Sequence, residues 1–332
     1  MRFISNCLIL LFIAAGIVAQ NQPPNEDILR FDPTLDRLVP RGAKVEQLTS
    51  NYERTEGPVW ARGGGYLLFT ALNEIIKWTP GAGFSTVVDH SFKGPTPAGV
   101  KVGPNGLTFD LQGRLIACEQ GARRITRLEK DGKTTVLADH YEGKRLNSPN
   151  DVVVRRKTGE VYFTDPDNLA RRNLSDPDGF FRKELNVNGV YRVTAAGRLE
   201  LLIQDLPFPN GIAFSPDENK LYVANTLPEK TWWVYDVGSD GSPRNGKVLL
   251  DATNLPGTSG PDSMKVDKAG NLYAAGPGGV LIISPQGKHL GTIQVPEVAS
   301  NCAWGDKDGK SLYITAPPGL YKIRLSVGGT MP

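Results

Sequence analysis

Six polar residues, Glu56, Asn105, Asn150, Asn210, Asp262 and Asn301, stand at or beside the head of similar stretches of this chain. The stretches read EGPVWARGGGYLLFT, NGLTFDLQGRLIAC, NDVVVRRKTGEVYFTD, NGIAFSPDENKLYVAN, DSMKVDKAGNLYAAG and NCAWGDKDGKSLYIT. One Asn before a Gly is ordinarily a turn residue, but six polar residues in register, two of them carboxylates, need a common cause. Carboxylates gathered away from water repel one another and lose hydration, so they require raised pKa values or a cation. Oxygen donors from Glu, Asp and Asn, without His or Cys, suit Ca²⁺ or Mg²⁺ rather than zinc. Ca²⁺ is the expected cofactor, with Mg²⁺, Mn²⁺ or Zn²⁺ as other divalent occupants. Competing motifs are missing: the run from Asp176 to Gly179 lacks the first ligand and final Glu of an EF-hand, and there is no HExxH, GxSxG or P-loop. His90, His140 and His289 fall outside the heads of the stretches and read as solvated or structural.

The elements that must position these residues are short strands. The six stretches recur at intervals of 39 to 60 residues, the period of propeller blades. Turns such as Gln112-Gly113, Ala269-Gly270 and Asp308-Gly309 join the first two strands of a copy and suit positive φ. Third and fourth strands follow, as in GVYRV from Gly189 and LELLIQ from Leu199, but the last copy stops after a third strand, GLYKIRL from Gly319. KVEQLTS, from Lys44, occupies the place of a preceding blade's fourth strand. The expected fold is therefore all-β: a six-bladed β-propeller, its ring closed by an N-terminal strand completing the last blade. A β-sandwich is the alternative for so many short strands. In the propeller, the six polar residues ring the channel mouth, and the long segment from Asp165 to Asn188, with Arg171, Arg172, Phe180 and Phe181, reads either as a solvated insertion or as a lid over a small polar ligand.

Length and composition agree with one repetitive fold. Gly 37 and Pro 25 in 332 residues punctuate short apolar runs, and a net charge of +3 with 22% charged residues gives no reason to expect nucleic acid. Arg2, the apolar run from Leu8 to Val18 and the small residue Ala19 read as a signal peptide over 1–19; the run is shorter than the ~20 residues of a membrane span. Then come a leader over 20–42, the propeller over 43–326 and a tail over 327–332. Export to the periplasm or beyond is expected, with no membrane attachment after cleavage. Cys118 and Cys302 can pair in an oxidising compartment, yet both lie in apolar strand-like text, where buried free thiols fit equally well. No oligomeric state follows from the sequence.

From Val45 to Arg324 the chain resembles the SMP-30, gluconolactonase and luciferin-regenerating-enzyme family. EGPVW at Glu56, RLNSPND from Arg145 to Asp151, FPNG at Asn210, PDSM at Asp262 and NCAWG at Asn301 carry the resemblance. It implies a six-bladed calcium-dependent propeller that opens sugar lactones, with Glu56, Asn150, Asn210 and Asp262 as metal ligands and Asn150 also facing substrate. Asp165 in YFTDPD matches an acidic residue that some members use. Calcium acidifies water less than zinc does, so a general base is needed, with Asp262 first and Asp165 second. Arg145, Asn105 and Asn147 orient substrate hydroxyl groups. Two departures stand out: Ser148 replaces a substrate-contacting Arg, and Gln120 stands where related bacterial sequences often carry His. Two other readings keep the fold. One is a calcium-dependent phosphotriesterase or esterase; the other is a non-catalytic periplasmic binding propeller with structural calcium.

Overall fold

The computed structural model describes residues 27–88, 102–171, 176 and 179–332. The expected signal peptide, His90 and Arg172 lie outside the described residues. The chain forms a six-bladed β-propeller. Its six inner strands are Thr55–Ala61, Pro104–Phe109, Val152–Val154, Pro209–Phe214, Met264–Val266 and Asn301–Gly305, and each packs against the next until the sixth meets the first. Every blade then steps outward through antiparallel neighbours. Burial falls along that direction. In blade one the inner strand Thr55–Ala61 is buried throughout, whereas the outer strand Gly83–Val88 is largely exposed.

The apolar alternation in each stretch fills the spaces between blades with aromatic side chains. Trp60 stacks on Tyr313 with centroids 5.6 Å apart across blades one and six. Tyr162 meets Phe214 edge-on at 5.0 Å across blades three and four, and Tyr273 meets Trp304 at 4.7 Å across blades five and six. Cys118 and Cys302 are buried and unpaired.

At the face opposite the mouth, the turns between first and second strands of blades two and five are closed by Asp side chains. Asp110 Oδ1 accepts the N–H groups of Gln112 and Arg114 at 2.9 and 2.8 Å, and Asp267 Oδ1 accepts those of Ala269 and Asn271 at 2.8 and 2.9 Å. Gly113 and Gly270 have φ of 72° and 91°, the left-handed conformation that only glycine adopts without cost.

Strand Val45–Thr49 lies beside Gly319–Arg324 in blade six, with Val45 opposite Ile323 and Gln47 opposite Tyr321. The leader and tail are more structured than the sequence suggested. Ile28–Arg30 adds a fifth strand to blade five, pairing with His289–Ile293. Asp32 then accepts Thr34 N at 2.8 Å to start the 3₁₀ turn Pro33–Arg37. The turn presents Leu35, with Val39 just beyond it, to the core between blades five and six, where both are fully buried. Folding therefore begins within the segment read as leader, because its apolar residues recur at helical spacing and have a groove to fill.

The tail also docks. Gly329 bridges to Asp267, Gly329 N donates to Gly309 O at 3.0 Å and Thr330 N donates to Val266 O at 3.0 Å. Thr330, Met331 and Pro332 thereby lie beside the lower end of the channel. Above them a space of about 80 Å³ is lined chiefly by apolar groups, including Val59, Leu107, Val153, Ile212 and Trp304.

Candidate active site at the channel mouth

Hydrogen bonds between neighbouring blades hold the backbone at or beside several blade heads. Gly106 N donates to Asn150 O at 2.8 Å, and Ser263 N donates to Ser300 O at 3.1 Å. Thr70 and Thr164, each near the end of a second strand, donate their hydroxyls to Asn105 O and Asn210 O of the next blade at 3.2 and 2.6 Å. The glycine after three of the polar residues has its explanation here. A Cβ on Gly57 would lie 2.0 Å from Asn105 O, and one on Gly211 would lie 2.5 Å from Asp262 O. These glycines admit the adjacent strand; they are not turn residues. Pairing also slips at the same place in blades one, two and four, between Glu56 and Val59, Pro104 and Leu107, and Pro209 and Ile212. Such bulges re-aim side chains, here at the upper end of the inner strands.

Glu56 is buried. Its carboxylate accepts Gly57 N at 2.7 Å, Ser300 Oγ at 3.4 Å and Asn301 Nδ2 at 3.5 Å. Burial, reinforced by the negative charge of Asp151, pushes its pKa up to about 7. Asp262 keeps partial contact with solvent, but its surroundings also push it well above the usual carboxylate range, burial first and then Glu56 and Asp151. The two carboxylates are thus near enough to repel each other. Around them the side-chain oxygens of Asn105, Asn150 and Asn210 are buried and accept no hydrogen bond. Asn210 Nδ2 donates to Thr226 Oγ1 at 3.0 Å, which leaves the amide oxygen as the unpartnered atom. An orphaned buried acceptor is costly, and several of them beside two crowded carboxylates match the donor set of a hard divalent cation. No three His, Cys, Asp or Glu side chains among the described residues are placed to hold a metal ion by themselves, so the amide oxygens are essential to this fit.

Asn301 heads the sixth inner strand as expected, but its amide oxygen is not free. Its Oδ1 accepts Cys302 N at 2.8 Å and Lys265 Nζ at 3.3 Å, so it supports Glu56 and Lys265 from the side.

The structure places Asp165 at the end of strand Val161–Asp165, completely buried. Its oxygens accept Asn147 N and Ser148 N, each at 2.8 Å. Asp165 clamps the loop carrying Asn147 and Asn150. Burial outweighs those two donors and raises its pKa to about 7. Asn147 Nδ2 donates to Asp165 O and Val187 O at 3.1 and 2.9 Å, while its Oδ1 is buried without a partner. Arg145 is half-buried, its guanidinium 4.5 Å from the Phe180 ring centroid and its backbone N–H bonded to Glu184 at 2.9 Å. Buried Arg123 fastens this region, donating to Leu146 O at 2.6 Å and to Phe180 O at 2.9 Å. Phe181 is buried with Val102 and Leu169. The described part of the expected lid is therefore anchored to blades two and three.

Three residues not singled out as site residues belong to this region. Asp151 is buried; its carboxylate accepts Val152 N at 2.9 Å and Ile212 N at 3.4 Å. Lys265 projects opposite its buried neighbours Met264 and Val266, whose side chains enter the core between blades; a lone Lys inside an apolar inner strand was the available signal. Gln120 is buried with its Nε2 unpartnered. Of the histidines, His289 bonds Gly291 O at 3.0 Å and His140 lies 3.0 Å from Asp139 at the surface.

The chain is 38% identical to a gluconolactonase of Zymomonas mobilis over 91% of its own length and 87% of that protein. A 6-deoxy-6-sulfogluconolactonase of Pseudomonas putida is 33% identical over 40% of this chain and 46% of that one. Among solved structures, a gluconolactonase from Xanthomonas campestris superposes with a TM-score of 0.79 at 31% identity, covering 91% of this chain and 96% of the other. The pattern of the SMP-30/Gluconolactonase/LRE-like region matches residues 54–317. With a propeller whose mouth gathers the residues that carry this pattern, the chain belongs to the SMP-30/gluconolactonase/LRE-like family.

Proposed function

We propose that this protein hydrolyses sugar lactones at the channel mouth, using one divalent cation, calcium first, held by Glu56, Asn150, Asn210 and Asp262. The observation that carries the reading is the set of buried, unpartnered amide oxygens beside two mutually repelling carboxylates. The names of the relatives supply the substrate class: two act on gluconolactone or a sulfonated form of it.

When bound, the cation supplies electrophilic polarisation of the lactone carbonyl and stabilises the charge that develops on its oxygen. Asp262 is the proposed base. Partial solvent contact lets it meet a water, and a neighbouring positive charge restores the carboxylate form that accepts the proton. Asn105 and Asn147, with their free oxygens, and Arg145, held by Phe180, orient substrate hydroxyl groups. Asp165 serves by fixing the loop beneath Asn147 and Asn150, since backbone donors occupy both its oxygens. Export by a cleaved N-terminal segment remains part of the proposal, and fractionation of cells producing the full chain tests it.

The test is a panel of aldonolactones, an activated ester and a phosphotriester, assayed with Ca²⁺, Mg²⁺, Mn²⁺ or chelator. Aldonolactones should be the best substrates, with activity lost in chelator and restored by Ca²⁺. Asp262→Asn at saturating Ca²⁺ should be slower by about 10² to 10⁴. Full activity in chelator would sink the metal role. Preference for the phosphotriester would move the substrate class, and inactivity on every substrate with calcium bound would favour a binding propeller.

A further inference from the structure

Lys265 places an ammonium group in the channel near the carboxylates of the mouth. Its Nζ lies 3.3 Å from Asn301 Oδ1, 3.1 Å from Met264 O and 3.9 Å from Asp151 Oδ2, with the side chain 24% exposed. Asp151 is only 1% exposed and makes no closer ion pair among the described residues. Three carboxylates, Glu56, Asp151 and Asp262, therefore share this region with one ammonium; Arg54 adds a second positive charge near Asp262.

That balance matters for an ion whose task is to attract electrons. Two carboxylates neutralise a divalent cation, and a third, uncompensated, would bind it harder while weakening its pull on a carbonyl oxygen. We propose that Lys265 is a charge-setting residue: by pairing with Asp151 it keeps the third carboxylate from quenching the cation, giving up ion affinity in exchange for catalytic power. This rests on the cation-dependent lactonase reading above. Lys265 does not contact the substrate. It acts through Asp151 and, via Asn301, through Glu56, whose Oε1 accepts Asn301 Nδ2 at 3.5 Å.

The signature is crossed. In Lys265→Gln, which retains an N–H donor for Asn301 but no charge, Ca²⁺ measured by titration calorimetry at low salt should bind about tenfold more tightly. Its kcat on a gluconolactone at saturating Ca²⁺ should fall about tenfold, with little change in KM. Lys265→Met should show the same pair of changes, and Lys265→Arg should remain near the parent. A residue needed only for packing would weaken ion binding and turnover together. Unchanged or weaker Ca²⁺ binding in Lys265→Gln, with circular dichroism showing the parental fold, overturns the proposal. If the parent protein itself takes up no Ca²⁺, the cation reading falls first. If the parent binds and the variants show no crossing, only the role of Lys265 falls.

Discussion

Asp165, the second candidate base, also has a positioning task in the fold. An acid at the end of a mouth-directed strand suggested a proton acceptor, yet its two oxygens close on Asn147 N and Ser148 N. Its pKa, near 7 when folded, exceeds the ordinary carboxylate value of 3.8, so the native state holds the proton more tightly than the unfolded chain. The resulting stability is complete below about pH 4 and is lost as pH rises through about 7. Asp165→Asn cannot titrate. It should be less stable than the parent by about 1–3 kcal/mol at about pH 5, where one backbone donor loses its acceptor, and its melting temperature should change less between about pH 5 and pH 8. Calorimetry at the two pH values decides; an unchanged slope would assign the titration elsewhere. The blade-head residues were legible because each is polar in apolar text. Lys265 carries the same signal, but that it and Asp151 face the site was not legible, because facing the channel depends on strand parity and local bulges, which one residue of slip reverses.

At the scale of the element, the repeat was readable because every blade needs the same alternation and the same turn. The glycines after three blade heads, Gly57, Gly106 and Gly211, answer to a constraint the sequence does not display, the close approach of the next blade. Such contact between distant segments leaves no periodic trace. Strand Val45–Thr49 covers Leu320, Tyr321 and Ile323, all buried. Burying an apolar side chain of this size contributes about 1.5–3 kcal/mol. Deleting Val45–Thr49 should therefore remove several kcal/mol, lower the melting temperature by about 5 °C or more and promote self-association through the freed strand edge. Differential scanning calorimetry and light scattering would show both effects. A truncated protein that melts with the parent and stays monodisperse would mean that blade six is stable without that strand.

Across the whole molecule, the ring brings together residues as far apart in sequence as Glu56 and Asn301, 3.5 Å apart at their polar atoms, and so converts a repeat into a site. What the sequence could not convey was how the ends are used, since Leu35, Val39 and Met331 find partners only after the blades assemble. The docked tail has a kinetic consequence. With Thr330 to Pro332 beside the lower opening and apolar groups lining the shaft above them, the polar mouth is the expected door for both substrate and product. The hydroxy acid formed by ring opening then contends with incoming lactone for one vestibule. Added aldonate should inhibit competitively, raising the apparent KM and leaving kcat unchanged; no inhibition at concentrations far above the lactone KM would mean that the acid does not occupy the vestibule.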